Sequence, residues 1–192
     1  MNKTIDIPLN MVLTSDNRNT QMVIELKNIR INHSFSKETV CQTSDLYIDG
    51  KRIGRCSNDG NGGNTEYSVY RKEDEPILKR CEEICKTLPK VKFDGLVFKQ
   101  NLESVIDDLI DDHVDNLEKK RFENKKQKDI LKGLVLSNGN DKEYLTMQWK
   151  NQTIETILKT SNGIMELRKI VTKKRGEGFT ILNTNLPKEV IE

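Results

Sequence analysis

An α+β fold follows from two periodicities along the chain. Residues 22–31, MVIELKNIRI, alternate apolar and polar positions, the pattern of a strand with one buried face. Beyond Arg71 the apolar residues recur at helical spacing instead. Leu102, Val105, Ile106, Leu109, Ile110, Val114 and Leu117 make a stripe along one face of a long helix. Strands first and helices after them predict a small antiparallel sheet in the N-terminal half, packed with a long amphipathic helix and further C-terminal helices and strands.

Residues 1–20 hold a short apolar run broken by Asp6 and Pro8, neither a secretory core nor a membrane span, and read as a loose N-terminal arm. NHSFSKET, residues 32–39, is a loop. Residues 40–49 resume β-prone composition, and Asp49-Gly50 is a hairpin turn into the return strand KRIGRC. EYSVY, residues 66–70, is the next strand. Ile77, Leu78, Cys81, Ile84, Cys85 and Leu88 then mark a helix that Pro89 closes. VKFDGLVFKQ, residues 91–100, is short and β-like. The long helix follows and runs on through KKRFENKKQKDILK to Gly133, its stripe thinning to Phe122, Ile130 and Leu131.

LVLSNGNDKEYLTMQW reads as two strands around the turn at residues 138–141. Residues 153–173 read as two helical pieces interrupted by Ser161-Asn162-Gly163, and GFTILN, residues 178–183, returns as a last strand. The length of 192 residues fits a single α+β domain, residues 1–192. The one candidate boundary is the basic stretch 119–128, where apolar content falls.

With 34% apolar and 32% charged residues, the core must be lean and the surface heavily solvated. Thirty-two basic residues against thirty acidic ones nearly cancel, so any electrostatic function rests on local segregation. The four cysteines, Cys41, Cys56, Cys81 and Cys85, lack the two-residue knuckles of structural zinc sites and read as reduced core thiols of a cytoplasmic protein. His33 and His113 have no metal-binding or catalytic partner pattern. No nucleophile motif is present, so an enzyme is not expected, nor a cofactor.

Two stretches carry binding chemistry. In the loop SNDGNGG, residues Asn58, Asp59, Gly60, Gly62 and Gly63 offer bare backbone amides of the kind that form an anion nest. No helix N-terminus follows at once, so the Rossmann and P-loop fingerprints do not apply, and an ordinary turn is the competing reading. Asp59, Asn61 and Asn64 also suggest calcium ligands, without the distal glutamate of an EF-hand.

The second stretch is the long helix. Asp107, Asp108, Asp111, Asp112, Asp115 and Glu118 occupy its first part, and Lys119, Lys120, Arg121, Lys125, Lys126 and Lys128 its second. Acids early and bases late complement the helix dipole, and a solvated polar face would look the same. Yet Asp108/Asp112 and Asp111/Asp115 are like-charge pairs at i,i+4, each costing a few tenths of a kcal/mol. A function that recovers this cost has Asp108, Asp111, Asp112 and Asp115 engaging a basic partner surface. The six bases within ten residues, with Phe122 among them, would lie on RNA or DNA phosphates. A metal-dependent nuclease built on the aspartates lacks a histidine or glutamate from a second element.

Residues 34–67, with Lys37-Glu38-Thr39, Asp49-Gly50-Lys51 and the Asn58-Asp59-Gly60-Asn61-Gly62-Gly63 loop, resemble a family of small proteins carried by phages and mobile elements. The resemblance spans less than a quarter of the chain and brings no catalytic residues. It implies a counter-defence, anti-CRISPR-like protein of the host cytoplasm. Such a protein would bind and inhibit a host defence effector such as an RNA-guided nuclease, with RNA a further partner and no membrane involved. The alternative is a nucleotide-binding sponge using the Gly/Asn loop.

Overall fold

The structure, a computed structural model, describes residues 9–15 and 20–192 of the chain. Residues 1–8 and 16–19, part of the expected N-terminal arm, lie outside them. The described residues gather into two compact units, one ending at Asn116 and the other running Leu117–Glu192. That division falls beside the basic stretch 119–128, where the sequence places its one boundary.

In the first unit a five-stranded antiparallel sheet has the order β1-β2-β3-β4-β5, each strand beside its neighbour in sequence. The strands are β1 (Leu9–Ser15), β2 (Thr20–Ile31), β3 (Gln42–Ile48), β4 (Lys51–Asn58) and β5 (Glu66–Val69). Residues 9–15 are therefore a paired edge strand and not loose arm, in register from Leu9↔Leu26 to Ser15↔Thr20. Asp49 and Gly50 take φ of 49° and 77°, as a two-residue primed turn requires. Asp49 also ties the β3–β4 hairpin to β2, its carboxylate accepting from Val23 N at 2.8 Å and its own amide donating to Val23 O at 2.8 Å. The β2–β3 pairing slips between Lys27 and Arg30, where Asn28 sits at φ 53° in a bulge.

One face of this sheet carries Leu13, Met22, Ile24, Leu26, Leu46, Ile48, Ile53 and Cys56. It packs with Cys81, Ile84 and Cys85 of α1 (Glu75–Lys86) and with Leu102, Val105, Ile106, Leu109 and Ile110 of α2 (Leu102–Lys132). Each large aliphatic side chain buried here contributes roughly 1.5–3 kcal/mol. Pro76 opens α1 where its missing N–H is harmless. Lys51 Nζ meets the buried Asp74 carboxylate at 2.5 Å just before that helix.

Asn101 and Ser104 start α2 with a reciprocal box: Asn101 Oδ1 accepts from Ser104 N at 2.7 Å and Ser104 Oγ from Asn101 N at 2.9 Å. Between the helices, the stretch read as one β-like segment is a hairpin of β6 (Val91–Phe93) and β7 (Leu96–Phe98), with Leu96, Val97 and Phe98 exposed.

The second unit has a three-stranded sheet ordered β10-β8-β9. Its strands are β8 (Gly133–Ser137), β9 (Leu145–Gln148) and β10 (Thr180–Ile181). Leu134 and Leu136 of β8 pack with Ile154 and Ile157 of α3 (Ile154–Ile157), Leu167 and Val171 of α4 (Ser161–Gly176), and Leu186 and Val190. Ser161, Asn162 and Gly163 do not interrupt helix; they are the first turn of α4. Thr160 is the cap, its Oγ1 accepting from Gly163 N at 3.0 Å, and the break falls just before it. A last short helix, α5 (Lys188–Ile191), carries Val190 and has no sequence signal strong enough to predict it.

Asn183 holds this unit's polar interior. Its Oδ1 accepts from Val135 N at 2.7 Å, while its Nδ2 donates to Gly133 O at 2.9 Å and Ile130 O at 3.3 Å, satisfying carbonyls that the end of α2 leaves open. Asn183→Ala leaves the Val135 amide buried without a partner and is expected to destabilise the second unit by about 1–3 kcal/mol. Faster hydrogen exchange at Val135 is the measurement that checks it.

Candidate functional site

The Gly/Asn loop is anchored through Asn58, the last residue of β4, whose buried side chain uses all of its hydrogen-bonding capacity. Asn58 Oδ1 accepts from Thr39 Oγ1 at 2.8 Å and from Gly60 N at 2.8 Å. Its Nδ2 donates to Gly63 O at 3.0 Å and to Thr65 Oγ1 at 3.1 Å. Thr65 passes the chain onward to α2, its hydroxyl donating to Asp107 Oδ1 at 2.5 Å and its amide to Glu103 Oε1 at 3.2 Å. Gly60 O in turn accepts from Lys37 N at 2.9 Å and Glu38 N at 3.1 Å, which fixes the 37–39 turn against the loop.

Three of the loop's backbone amides are engaged within this arrangement. Gly60 N bonds Asn58, Asn61 N bonds Asp59 Oδ1 at 3.0 Å, and Gly62 N bonds Thr39 Oγ1 at 3.3 Å. An anion would have to displace these partners. It would also meet Glu38, Asp107 and Asp111, which face the same end of the sheet. Gly60 and Gly62 do take positive φ, 84° and 85°, whereas Gly63 does not and has open space around it.

Beside the loop lies a cavity of about 380 Å³, lined by Glu38, Thr39, Gln42, Asp107, Ile110 and Asp111 among others. Gln42 is 3% exposed, and its side-chain amide finds no hydrogen-bond partner among the described residues. β3 places it there: Gln42, Ser44, Leu46 and Ile48 alternate onto the covered face, so the apolar core becomes polar toward the end of the strand. A buried amide left unpaired costs about 1–3 kcal/mol. Gln42 gave no sequence signal, because a glutamine at the start of a strand reads as solvent-facing.

The acids of α2 are exposed at Asp108, Asp111, Asp112 and Asp115 and half-buried at Asp107. Burial, followed by the charges of Asp107, Asp108, Asp115 and Asp112, pushes the Asp111 carboxyl above its ordinary value. Burial and Asp112 raise Asp108. Burial raises Asp107 as well, with Glu103 and Asp108 adding to it against the hydrogen bond from Thr65. Desolvation and like charge thus act together on this part of the helix.

In the second unit the basic tract does not form one stripe. Arg121, Lys125 and Lys128 fall at i, i+4 and i+7 and share a face, while Lys119, Lys120 and Lys126 point elsewhere around the helix. Lys126 is engaged, meeting Glu123 Oε1 at 2.5 Å and lying 5.7 Å from the Phe122 ring centre. Lys125 lines a cavity of about 610 Å³ with Lys142, Asp129 and the edge-to-face pair Phe122 and Tyr144, whose ring centres are 5.2 Å apart.

The uncovered face of the first unit's sheet carries a second charged group that sequence reasoning missed. Arg30, Arg52 and Arg55 surround Asp45, which accepts from Asn28 Nδ2, Arg52 Nη2 and Tyr70 OH, each at 2.7 Å. Burial pushes Asp45 upward, but the bonds from Tyr70, Arg52 and Asn28 outweigh it and hold the carboxyl below its ordinary value. The sequence hid it: Arg52 and Arg55 are three apart, opposite faces of a regular strand, and the register shift between Leu46 and Tyr47 is what turns both outward.

Of the cysteines, Cys56, Cys81 and Cys85 are buried and Cys41 half-buried, all with free thiols. Burial pushes the Cys56 thiol up to about 12, far from a nucleophile. Among the described residues no group of three or more His, Cys, Asp and Glu side chains is placed to hold a metal ion, and no helix is long and apolar enough to cross a membrane. No protein-family model, curated protein or solved structure matches the chain.

Two predictions follow from this geometry. A Cβ on Gly60 would collide with the Phe35 carbonyl and the Cys41 side chain at a positive φ. Gly60→Ala is therefore expected to destabilise the unit by more than about 1 kcal/mol in thermal unfolding, while Gly63→Ala stays within about 0.5 kcal/mol of the parent. The second concerns pH. Asp107, Asp108 and Asp111 sit above 3.8 in the fold, so the folded chain binds protons more readily than the unfolded one. Stability from these groups then rises as pH falls from neutral toward 3.8. Asp45 and Asp59, held below 3.8, surrender their contribution only at lower pH still. Amide exchange in β3 and β4 should therefore slow between about pH 7 and about pH 4 once corrected for intrinsic rate, and Asn at the three raised positions should flatten the change.

Proposed function

We propose that this chain is a non-catalytic binding protein of anti-defence type, which inhibits a nucleic-acid-directed effector by covering a basic surface with the acidic first half of α2. The observation that carries the reading is the state of Asp111. Burial and four neighbouring carboxylates all raise its pKa, so a cationic surface laid on Asp108, Asp111, Asp112 and Asp115 would relieve a repulsion already present in the free protein. An acidic helix face of this kind mimics the phosphates that a nucleic-acid channel is built to hold. The anti-CRISPR-like assignment of the partner comes from the resemblance carried by residues 34–67.

A contact with RNA is a second reading of the tract, favoured by Phe122 and Tyr144 beside Lys125 and Lys142. Stacking surfaces next to lysines suit an unpaired, sequence-tolerant strand. In this reading the effector's guide RNA is the ligand, and Lys119, Lys120, Arg121 and Lys128 add salt-dependent attraction.

The test compares the tagged chain with a variant carrying Asn at Asp108, Asp111, Asp112 and Asp115 in pull-downs from bacterial lysate, with and without RNase. The parent is expected to recover an RNA-guided nuclease complex, and the variant about tenfold less or weaker still, while unfolding at an equal or higher temperature. Equal recovery by both, or recovery of no effector, overturns the reading. Loss of the complex on RNase treatment assigns the guide a part in it.

A further inference from the structure

We propose that the cavity beside Gln42 is a guanidinium pocket, which receives an arginine side chain of the basic partner between Asp107, Asp111 and the Gln42 amide. The inference rests on the acidic-face reading above and deepens it by naming the group recognised.

Three features select this ligand. The first is unused hydrogen-bonding capacity. Asn58, which lines the same cavity, is saturated by the loop and Thr65, and Thr65 is engaged by Asn58 and Asp107, whereas both polar atoms of the Gln42 side chain are unpartnered at 3% exposure. Asp107 commits one oxygen to Thr65. The second is charge. Glu38, Asp107 and Asp111 line the cavity against the single cation Lys37, so it attracts positive groups.

The third feature is the shape of the donor set required. Carboxylate oxygens from one turn of α2 and an amide oxygen from β3 present acceptors on separate elements. A planar group with five N–H donors can address them together, whereas an ammonium is a compact point charge. Val40 and Ile110 supply apolar wall for the methylenes of the stem. A volume of about 380 Å³ admits one such side chain and excludes a folded segment.

The experiment is a proton–nitrogen NMR titration of the full chain with N-acetyl-arginine amide, and separately with N-acetyl-lysine amide. Saturable shifts of the Gln42 side-chain amide are expected with the arginine probe, and binding weaker by about tenfold with lysine, the scale of a bidentate charge-assisted contact. Asp111→Asn, at an exposed position, is expected to weaken the arginine probe by a similar factor. Gln42→Met is expected to abolish the selectivity while keeping the fold, since it replaces an unpaired buried amide with an apolar group of like size. Should that variant fail to fold, Asp111→Asn decides alone.

An unmoved Gln42 amide, equal response to arginine and lysine, or an Asp111→Asn variant with undiminished binding each overturns the pocket. Effector capture separates the two proposals. If Asp111→Asn loses the probe but not the effector, the guanidinium belongs to a small molecule; the pocket then stands and its assignment to the partner falls. If the probe binds and no effector is recovered by any form, the pocket survives the failure of the broader reading.

Discussion

The first unit depends on one polar residue finding four partners. A loop with three glycines has little to hold it, because glycine surrenders the most backbone freedom on ordering and contributes no side chain to pack. Asn58 supplies what the loop lacks: two accepted and two donated bonds that join the 37–39 turn, the loop backbone and Thr65. Thr65 then hands the arrangement to Asp107 on α2. Remove that side chain and the turn, the loop and the helix lose their common attachment, although the apolar core behind them is untouched.

The same arrangement sets the electrostatics. Because Asp107 and Glu103 are used as acceptors for Thr65, they are drawn against the sheet, and the charge of Asp107 is partly desolvated. Asp108 and Asp111 follow along the helix and feel burial together with neighbouring carboxylates, Asp112 in the one case and Asp107, Asp108, Asp115 and Asp112 in the other. The acidity is therefore a by-product of anchoring at Asp107 and a surplus at Asp108, Asp111, Asp112 and Asp115, which anchor nothing that the hydrogen bonds of the loop require.

Much of the fold was legible because its signals are periodic. The alternation of residues 22–31, the Asp-Gly turn and the stripe from Leu102 to Leu117 each report a face that must be buried. Strand and helix follow from them whatever the partner element turns out to be. Less was legible where a residue's meaning depends on a distant contact. Residues 9–15 become a strand by pairing with β2, and Ser161-Asn162-Gly163 become helix because Thr160 caps them. The glycine loop was legible as a turn, but that its amides at Gly60, Asn61 and Gly62 bond Asn58, Asp59 and Thr39 was not. Gln42 could not be read at all, since only its position across from Asn58 in the β3–β4 pairing puts a glutamine inside.

The order of the sheet also bears on how the first unit assembles. With every strand beside its sequence neighbour, the five strands can form by successive local closures, of which the ten-residue β2–β3 connection is longer than the turns of β3–β4 and β4–β5. The bond from Thr65 to Asp107 joins positions 42 apart and closes only when α2 arrives on the finished sheet. By loop-closure entropy it belongs late in folding. Until then Asn58 can gather the turn and the loop but cannot complete its link to the helix, so the acidic face acquires its geometry last, on a scaffold already built.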